Sequence, residues 1–525
     1  MFLKIISILG SLTFLSRIFG YIRDLLIAKV IGAGLVSDAF FISFKLPNLF
    51  RRLFAEGSMN AAFIPVISGI KSKFGKRRSD EFFSLIFSSL LIFLFILLIL
   101  LEIFMPLIIK LIAPGFSDNS AKFILTVDLS RLTFPFVLFI CLTSLAGAYL
   151  NTMGRFAAMA LTPIILNLTI IFCLIIFFRN NDKIIVSTYI SASISIAGLI
   201  QLLWMVFNLK YNKVKLQLVT YPSSIFNKTK KETKNFLFLL VPAIIGNGAY
   251  QINLLIDMIL ASTLPDGSIS YLYFADRINQ LPLGVLGIAI STALLPILSK
   301  HVKEKKINKA NDSISESIKF GIFFSVPSFV GIFLLSKEII NFLFLRGEFT
   351  LEDSMLTSSA LTALSFGLPA FILIKILVVP FFANEDTKTP IKVSIFSMTL
   401  NLILNLILIK EFLHVGLAIA TSVSAWVNAT ILFLLLKKLG YKFDKSIIID
   451  LSKVLFSSFV MGCVLFFLMN LETLGFAVLN FSGKNNLLLI ITILTGSLVY
   501  LIVCYYVGIN YIYKSKWLKK NQIKN

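Results

Sequence analysis

Residues 82–112 read FFSLIFSSLLIFLFILLILLEIFMPLIIKLI, with Glu102 and Lys110 as the only charges. A helix rises about 1.5 Å per residue, so a run of this length crosses a hydrocarbon core of about 30 Å with residues to spare. The run is solidly apolar rather than alternating, which excludes the strands of an outer-membrane barrel. Similar runs recur along the chain, among them LLLIITILTGSLVYLIVCYYVGI at 487–509. Of the 525 residues 57% are hydrophobic and 14% charged. A soluble chain could not bury that apolar fraction and still present a polar surface. The fold class is therefore an all-α polytopic membrane protein.

Spans are expected at 7–31, 36–69, 82–112, 124–150, 157–178, 184–207, 236–262, 270–298, 316–343, 355–382, 390–409, 414–436, 447–470 and 486–512, about fourteen in all. The second is too long for one straight crossing, and Pro47 and Pro65 are expected to bend it. No cleavable signal peptide is expected, because the first 15 residues lack a small-residue cleavage site. Cys141, Cys173, Cys463 and Cys504 lie in apolar segments without paired spacing and read as packing residues, with neither disulfides nor metal sites implied.

The net charge of +23 does not point to nucleic acid, because the basic residues concentrate in short loops. KSKFGKRR (71–78) holds five, Lys210 to Lys234 seven lysines, KHVKEKKINK (300–309) five, KKLGYKFDK (437–445) four, and the tail from Lys514 five. The intervening loops GAGLVS, APGFSDNSAK and TLPDGS carry one or none. The positive-inside rule then places both termini and all the basic loops in the cytoplasm.

The chain also repeats itself. AAFIPVIS (61–68) matches TALLPILS (292–299), with Pro65 and Pro296 231 positions apart, and Asp24 falls on Asp257 at an offset of 233. LTF (132–134) and GFS (115–117) find LSF and EFT at offsets of 232 and 233. Ordered matches at a nearly constant offset indicate a duplication. The expected organisation is a lobe of six spans over 1–210, a basic linker over 211–234, a second lobe over 235–440, and two further spans with a basic tail over 441–525. Six spans per repeat put both repeats in the same orientation, an arrangement of transporters that work by alternating access.

Charged residues inside the spans need a reason, since each costs at least about 2.5–3.5 kcal/mol at the bilayer centre. FLSRIFGYIRDLLIAKVIG (14–32) carries Arg17, Arg23, Asp24 and Lys29, and Arg17 and Asp24 share a face. In the second span Asp38, Lys45 and Arg52 repeat at sevens, Glu56 follows Arg52 by four, and Arg51 lies beside them. The eighth span adds Asp276 and Arg277. Ion pairs between helices account for part of this set, Arg23 with Asp24 or Asp38 being examples. The arginines outnumber the acids, however, and a guanidinium fork suits phosphate or carboxylate oxygens. A cationic, water-filled chamber that receives an anion follows. In the second half, Asp257, Asn401, Asn405 and Thr421 offer oxygens of the kind a small hard cation such as Na⁺ takes, or polar groups that bond between helices.

SRIFGYIRD, SDAFFISFKLPNLFRRLFAEGSMNAAFIPV, RLTFPF, LAGAYLNTMGRF, FADRINQLPLGVLGIAISTALLP and NEDTKTP resemble the MurJ (MviN) lipid II flippase family, within the multidrug/oligosaccharidyl-lipid/polysaccharide exporter superfamily. The resemblance implies fourteen spans. It implies transport of an undecaprenyl-pyrophosphate-linked peptidoglycan precursor from the cytoplasmic to the periplasmic leaflet of the bacterial inner membrane. It implies that Arg17, Arg23, Arg51 and Arg277 engage the pyrophosphate, with Asp24, Asp38, Lys45, Arg52 and Glu56 as cavity neighbours. Residues 441–525 would supply a groove for the lipid tail. No cofactor is implied beyond Na⁺ at Asp257, Asn401, Asn405 and Thr421, and here Asn405 stands where an aspartate would strengthen the site. Partners would be the lipid precursor, membrane lipids and enzymes of cell-wall synthesis.

Other functions fit less well. A multidrug antiporter would want an acidic cavity for cationic substrates. A flippase for another polyprenyl-linked oligosaccharide is chemically closer. A membrane glycosyltransferase would need a catalytic acid cluster and sizeable soluble loops, and the chain has only His301 and His414 as histidines. No Gly-x4-Gly-Lys-Ser/Thr loop for ATP is present. The protein therefore reads as a transporter and not as an enzyme.

Overall fold

A computed structural model describes residues 2–52, 58–177, 182–219, 224–444, 446–470 and 485–509. Among these residues there are helices and turns but no strands. The first ten helices are α1 (Phe2–Ile31), α2 (Leu35–Phe50), α3 (Ser58–Ile103), α4 (Met105–Ile112), α5 (Ser120–Thr133), α6 (Pro135–Asn151), α7 (Ala157–Ala160), α8 (Thr162–Ile176), α9 (Lys183–Tyr211) and α10 (Ser224–Ser262). The remainder are α11 (Ser268–Pro282), α12 (Ile288–Lys303), α13 (Ile307–Phe344), α14 (Leu351–Leu377), α15 (Val379–Ala383), α16 (Lys388–Lys438), α17 (Ser446–Met469) and α18 (Asn485–Tyr506).

Ten helical stretches among the described residues are long and apolar enough to cross a membrane, which makes this a polytopic helical membrane protein. Fourteen is not reached by this measure, in part for visible reasons. α1 carries four charges over its last fifteen residues, and α2 has only 16 residues. α16 spans 51 residues and covers two expected spans, with a break at Leu413 (φ 50°). The second expected span takes in α2 and the start of α3, and residues 53–57 between them lie outside the described residues. Pro47 lies within α2 and Pro65 within α3. α3 itself is two helices joined at Gly75, whose φ of 79° suits a residue without Cβ. The run at 82–112 is likewise interrupted, at Phe104, because Pro106 has no N–H to continue the ladder.

The chain forms two compact units. One comprises 1–270 together with 346–350, the other 271–345 together with 351–525. These limits follow packing, whereas the repeat limits expected from the sequence follow residue matches at a nearly constant offset.

In the first unit α9 packs against α5, α6 and α8, α3 packs against α6 and α10, and α2 against α5. An aromatic cluster fills the α3–α6–α10 junction. Phe63 stacks on Phe82 at 6.0 Å and meets Phe236 edge-on, while Phe83 stacks on Tyr149 at 4.6 Å. Tyr149 is fully buried and donates its hydroxyl to Asp80.

The segment after α9 lies along α3. The Lys215 amide donates to Asp80 at 3.2 Å, the Gln217 amide to Ser84 at 3.2 Å, and the Val219 amide to Ser88 at 2.9 Å. Ser84 in turn donates to the Lys215 carbonyl at 3.2 Å. Residues four apart on a helix thus bind residues two apart on an extended chain, which shows its same side at every second residue.

The short segment 346–350 belongs to the first unit because it interlocks with the end of α1. The Glu348 amide donates to the Lys29 carbonyl at 3.0 Å. A Cβ at Gly347 would lie 2.2 Å from that carbonyl oxygen, and one at Gly32 would lie 2.3 Å from the Glu348 carbonyl oxygen. Both glycines also have positive φ, 63° and 75°. The exposed Lys183–Glu348 pair at 2.8 Å adds little to this contact.

In the second unit α14 packs between α13 and α16, and α17 and α18 pack on α13. Lys319 of α13 pairs with Asp450 of α17 at 2.9 Å, and the Tyr500 hydroxyl of α18 donates to the Phe323 carbonyl at 2.6 Å. The outer faces of α17 and α18 expose Phe456, Phe459, Phe466 and Leu494, a surface suited to lipid. In the NEDTKTP motif, the Thr389 hydroxyl and the amides of Thr389 and Lys388 hold the Asp386 carboxyl below the usual carboxylate range, at the entrance to α16.

Candidate functional site

α1 presents its charges in two different settings. Arg17 is exposed. Two turns on, Arg23 and Asp24 are buried, at 5% and 1% exposure. Arg23 donates to Asp24 through Nε and Nη2 at 3.0 and 2.7 Å, and through Nη1 to the Asn167 side chain at 2.9 Å. Its guanidinium also lies 5.2 Å from the centre of the Phe44 ring. Asn167 of α8 donates to the Ser16 carbonyl at 3.0 Å, so the set ties α1 to α8. Arg23 is therefore a paired, packed cation, while Arg17 is open to a ligand. Asn167 has no distinctive sequence signal; it reads as one polar residue in the apolar run LNLTII.

Asp38 sits near the start of α2 and is completely buried. Its Oδ2 accepts from Lys122 Nζ at 3.0 Å and from the Gly267 amide at 2.7 Å. Its Oδ1 accepts from the Ser270 amide at 3.0 Å and the Ser270 hydroxyl at 2.7 Å. Lys122, itself 3% exposed, also reaches Asp266 at 2.7 Å and lies 4.1 Å from the centre of the Phe116 ring. A buried carboxylate with four donors and a buried ammonium with two carboxylates satisfy each other. This cluster joins α2, α5 and the 266–270 turn; the Asp38–Lys122 pair faces protein rather than water, and Asp266 lies at its exposed edge.

Further along α2, Lys45 is half-buried. Arg51 is half-buried and donates to Asn48 at 3.1 Å, and Arg52 is exposed. Glu56 lies outside the described residues. In the second unit Arg277 is half-buried, donates to the Tyr273 hydroxyl at 2.7 Å and lies 4.8 Å from the centre of that ring. Asp276 accepts from Gln280. Among the cationic candidates, Arg17, Arg51, Arg52 and Arg277 retain surface from which a planar fork can address an oxyanion, and Arg23 does not.

The oxygen-bearing residues of α16 do come together. Asn405 donates to the Asn401 side-chain oxygen at 3.1 Å, Asn401 to Thr421 at 3.4 Å, and Thr421 to the Leu417 carbonyl at 2.9 Å. This chain of bonds joins the two halves of α16 across the break at Leu413 and is what interhelical polar bonding looks like. Two amide oxygens and a hydroxyl within one such cluster are also donor types that Na⁺ accepts. Asp257 is half-buried and belongs to the first unit.

Comparison with known proteins adds to this geometry. Residues 27–483 match the family described as Lipid II flippase MurJ. A probable lipid II flippase MurJ of Rickettsia prowazekii is 41% identical over 427 residues, covering 81% of this chain and 82% of the relative. That of Rhizobium tropici is 37% identical over 513 residues, covering 95% and 93%. A solved structure of lipid II flippase MurJ in an inward closed conformation superposes with a TM-score of 0.79 at 30% identity, covering 96% of this chain and 99% of that one. An inward-facing multidrug resistance MATE transporter of the MOP superfamily gives 0.66 at 15% identity, a likeness of fold alone. With residues 27–483 matching this family and relatives 37–41% identical over most of both chains, the protein belongs to the lipid II flippase MurJ family.

Proposed function

We propose that the protein moves lipid II, the undecaprenyl-pyrophosphate-linked peptidoglycan precursor, from the cytoplasmic to the periplasmic leaflet of the inner membrane by alternating access. The observation that carries this reading is the set of exposed or half-buried guanidiniums on spans of a chain whose family is that of lipid II flippases. A pyrophosphate offers several acceptor oxygens, and arginine forks bind such groups in pairs of parallel bonds. Arg17 and Arg51 serve the first unit in this role and Arg277 the second. Arg23, Asp24, Asp38 and Lys122 hold the surrounding helices in place. The apolar outer surface of α17 and α18 accommodates the polyprenyl tail, and the product leaves to enzymes that consume it in wall synthesis.

Expression of the chain in a bacterium depleted of its own flippase tests the reading. Growth should be restored, and the precursor should become accessible to an outer-leaflet probe. Restored insertion without restored accessibility would refute it. Sodium coupling through Asn401, Asn405 and Thr421 is part of the proposal; replacing Na⁺ by a large organic cation should then slow transport.

The proposed orientation places both termini and the basic loops in the cytoplasm. Lys76 and Lys230 are exposed, as is Asp266 in the opposite set of loops. A single cysteine at 76 or 230 should resist a membrane-impermeant thiol reagent applied from the periplasm, and one at 266 should react. The reverse pattern would invert the topology.

A further inference from the structure

The end of α9 bears a feature that transport does not use. Between α9 and the chain lying along α3 is a cavity of about 310 Å³. Leu209 and Val214, 1% and 6% exposed, give it a buried apolar floor, with Val206 and Leu216 beside them. Lys210 and Lys215 also line it, and both are exposed. Neither makes an ion pair among the described residues. The cavity is shaped before any ligand arrives, because Asp80, Ser84 and Ser88 hold the backbone of 215, 217 and 219 in place.

A second observation fixes its depth. Trp204, Phe207 and Tyr211 form a ladder on α9, with ring centres 6.1 and 6.4 Å apart. Phe207 is 60% and Tyr211 74% exposed, while the Trp204 indole donates to the Ala158 carbonyl at 3.1 Å. Tryptophan and tyrosine gather where acyl chains give way to headgroups. Lys210 adjoins the last ring of this ladder, so the cavity lies at headgroup level.

We propose that this cavity binds an anionic phospholipid, with Lys210 and Lys215 on the headgroup phosphate and the apolar floor against the glycerol backbone and first methylenes. The lipid is a resident partner distinct from the transported precursor. An apolar floor selects a lipid over a free phosphate ion, and two unpaired lysines select an anionic headgroup over a zwitterionic one.

The experiment uses the full chain in detergent, titrated with phosphatidylglycerol or phosphatidylcholine and read by native mass spectrometry. Phosphatidylglycerol should be retained preferentially. The K210S/K215S variant should bind it about thirtyfold more weakly, from the contribution of a basic group near an anionic surface. K215S alone, at an exposed position, should lose about fivefold and covers the case in which the double variant is poorly made. The K230S/K231S variant removes the same charge from exposed positions outside the cavity and should bind as the parent does. Equal weakening by K230S/K231S would overturn the site in favour of diffuse surface charge. Displacement of the lipid by millimolar inorganic phosphate alone would overturn the lipid assignment in favour of a free-anion site.

Discussion

Alanine at Asp38 is expected to destabilise the folded protein by about 3–5 kcal/mol, the usual cost of removing one partner from a buried ion pair. The substitution strands Lys122, whose side chain is 4% exposed, with only the half-exposed Asp266 as counter-charge. It also leaves the Gly267 and Ser270 amides without their acceptor, and the Ser270 hydroxyl with Ser37 alone. Asparagine keeps an acceptor but not the charge and should fall between parent and alanine. Removing both charges, as in D38A/K122M, should cost less than the sum of the single changes, by a coupling of about 0.5–3 kcal/mol. Thermal unfolding of the parent, D38A, D38N, K122M and D38A/K122M in one detergent measures this. If D38A unfolds within about 1 kcal/mol of the parent, the cluster does not hold the fold together.

Alanine at Arg17, Arg51 or Arg277 is expected to abolish transport while the protein still accumulates in the membrane. These side chains are exposed or half-buried, so water can replace the contacts that their loss removes. Each charge-assisted contact to a phosphate oxygen contributes about 1.5–3 kcal/mol, enough to weaken substrate engagement by one to two orders of magnitude. Lysine retains the charge without the fork and should remain defective. Alanine at Arg23 should behave differently: it takes two charged donors from the buried Asp24 and should reduce the amount of folded protein. Precursor accessibility in the outer leaflet, measured beside membrane levels of each variant, separates these cases. Full transport by all three exposed-site alanines would remove the arginines from substrate recognition.

The helices were legible because an apolar run of twenty residues has few other fates, and the α1 charges were legible because a membrane penalises them. Interruptions within the apolar runs were harder to read: the expected run at 82–112 is broken at Phe104, two residues before Pro106. The roles of individual charges depended on partners far away in sequence. Lys122 looks like a lone loop cation in APGFSDNSAK, and only folding brings it to Asp38, 84 positions earlier. Arg23 and Arg17 are chemically identical, and the difference between a packed cation and an open one comes from Asn167, 144 positions from Arg23. Hydropathy reports where a helix lies relative to lipid; it carries no information about which neighbour faces it.

The ladder of Asp80, Ser84 and Ser88 on the chain after α9 works as a vernier. Four helical residues advance about 6.0 Å, and two extended residues about 6.6 Å. Each rung therefore slips by about 0.6 Å against the last. Three rungs keep the mismatch near 1.2 Å, within the play of serine and aspartate side chains, and a fourth would approach 2 Å. The next position on that face of α3 is Ile92, which carries no acceptor. Two rulers of unequal pitch thus set the docked length of the connection between α9 and α10. Inserting one residue before Gln217 would turn the wrong amides toward α3, whereas inserting two would bring the phase back.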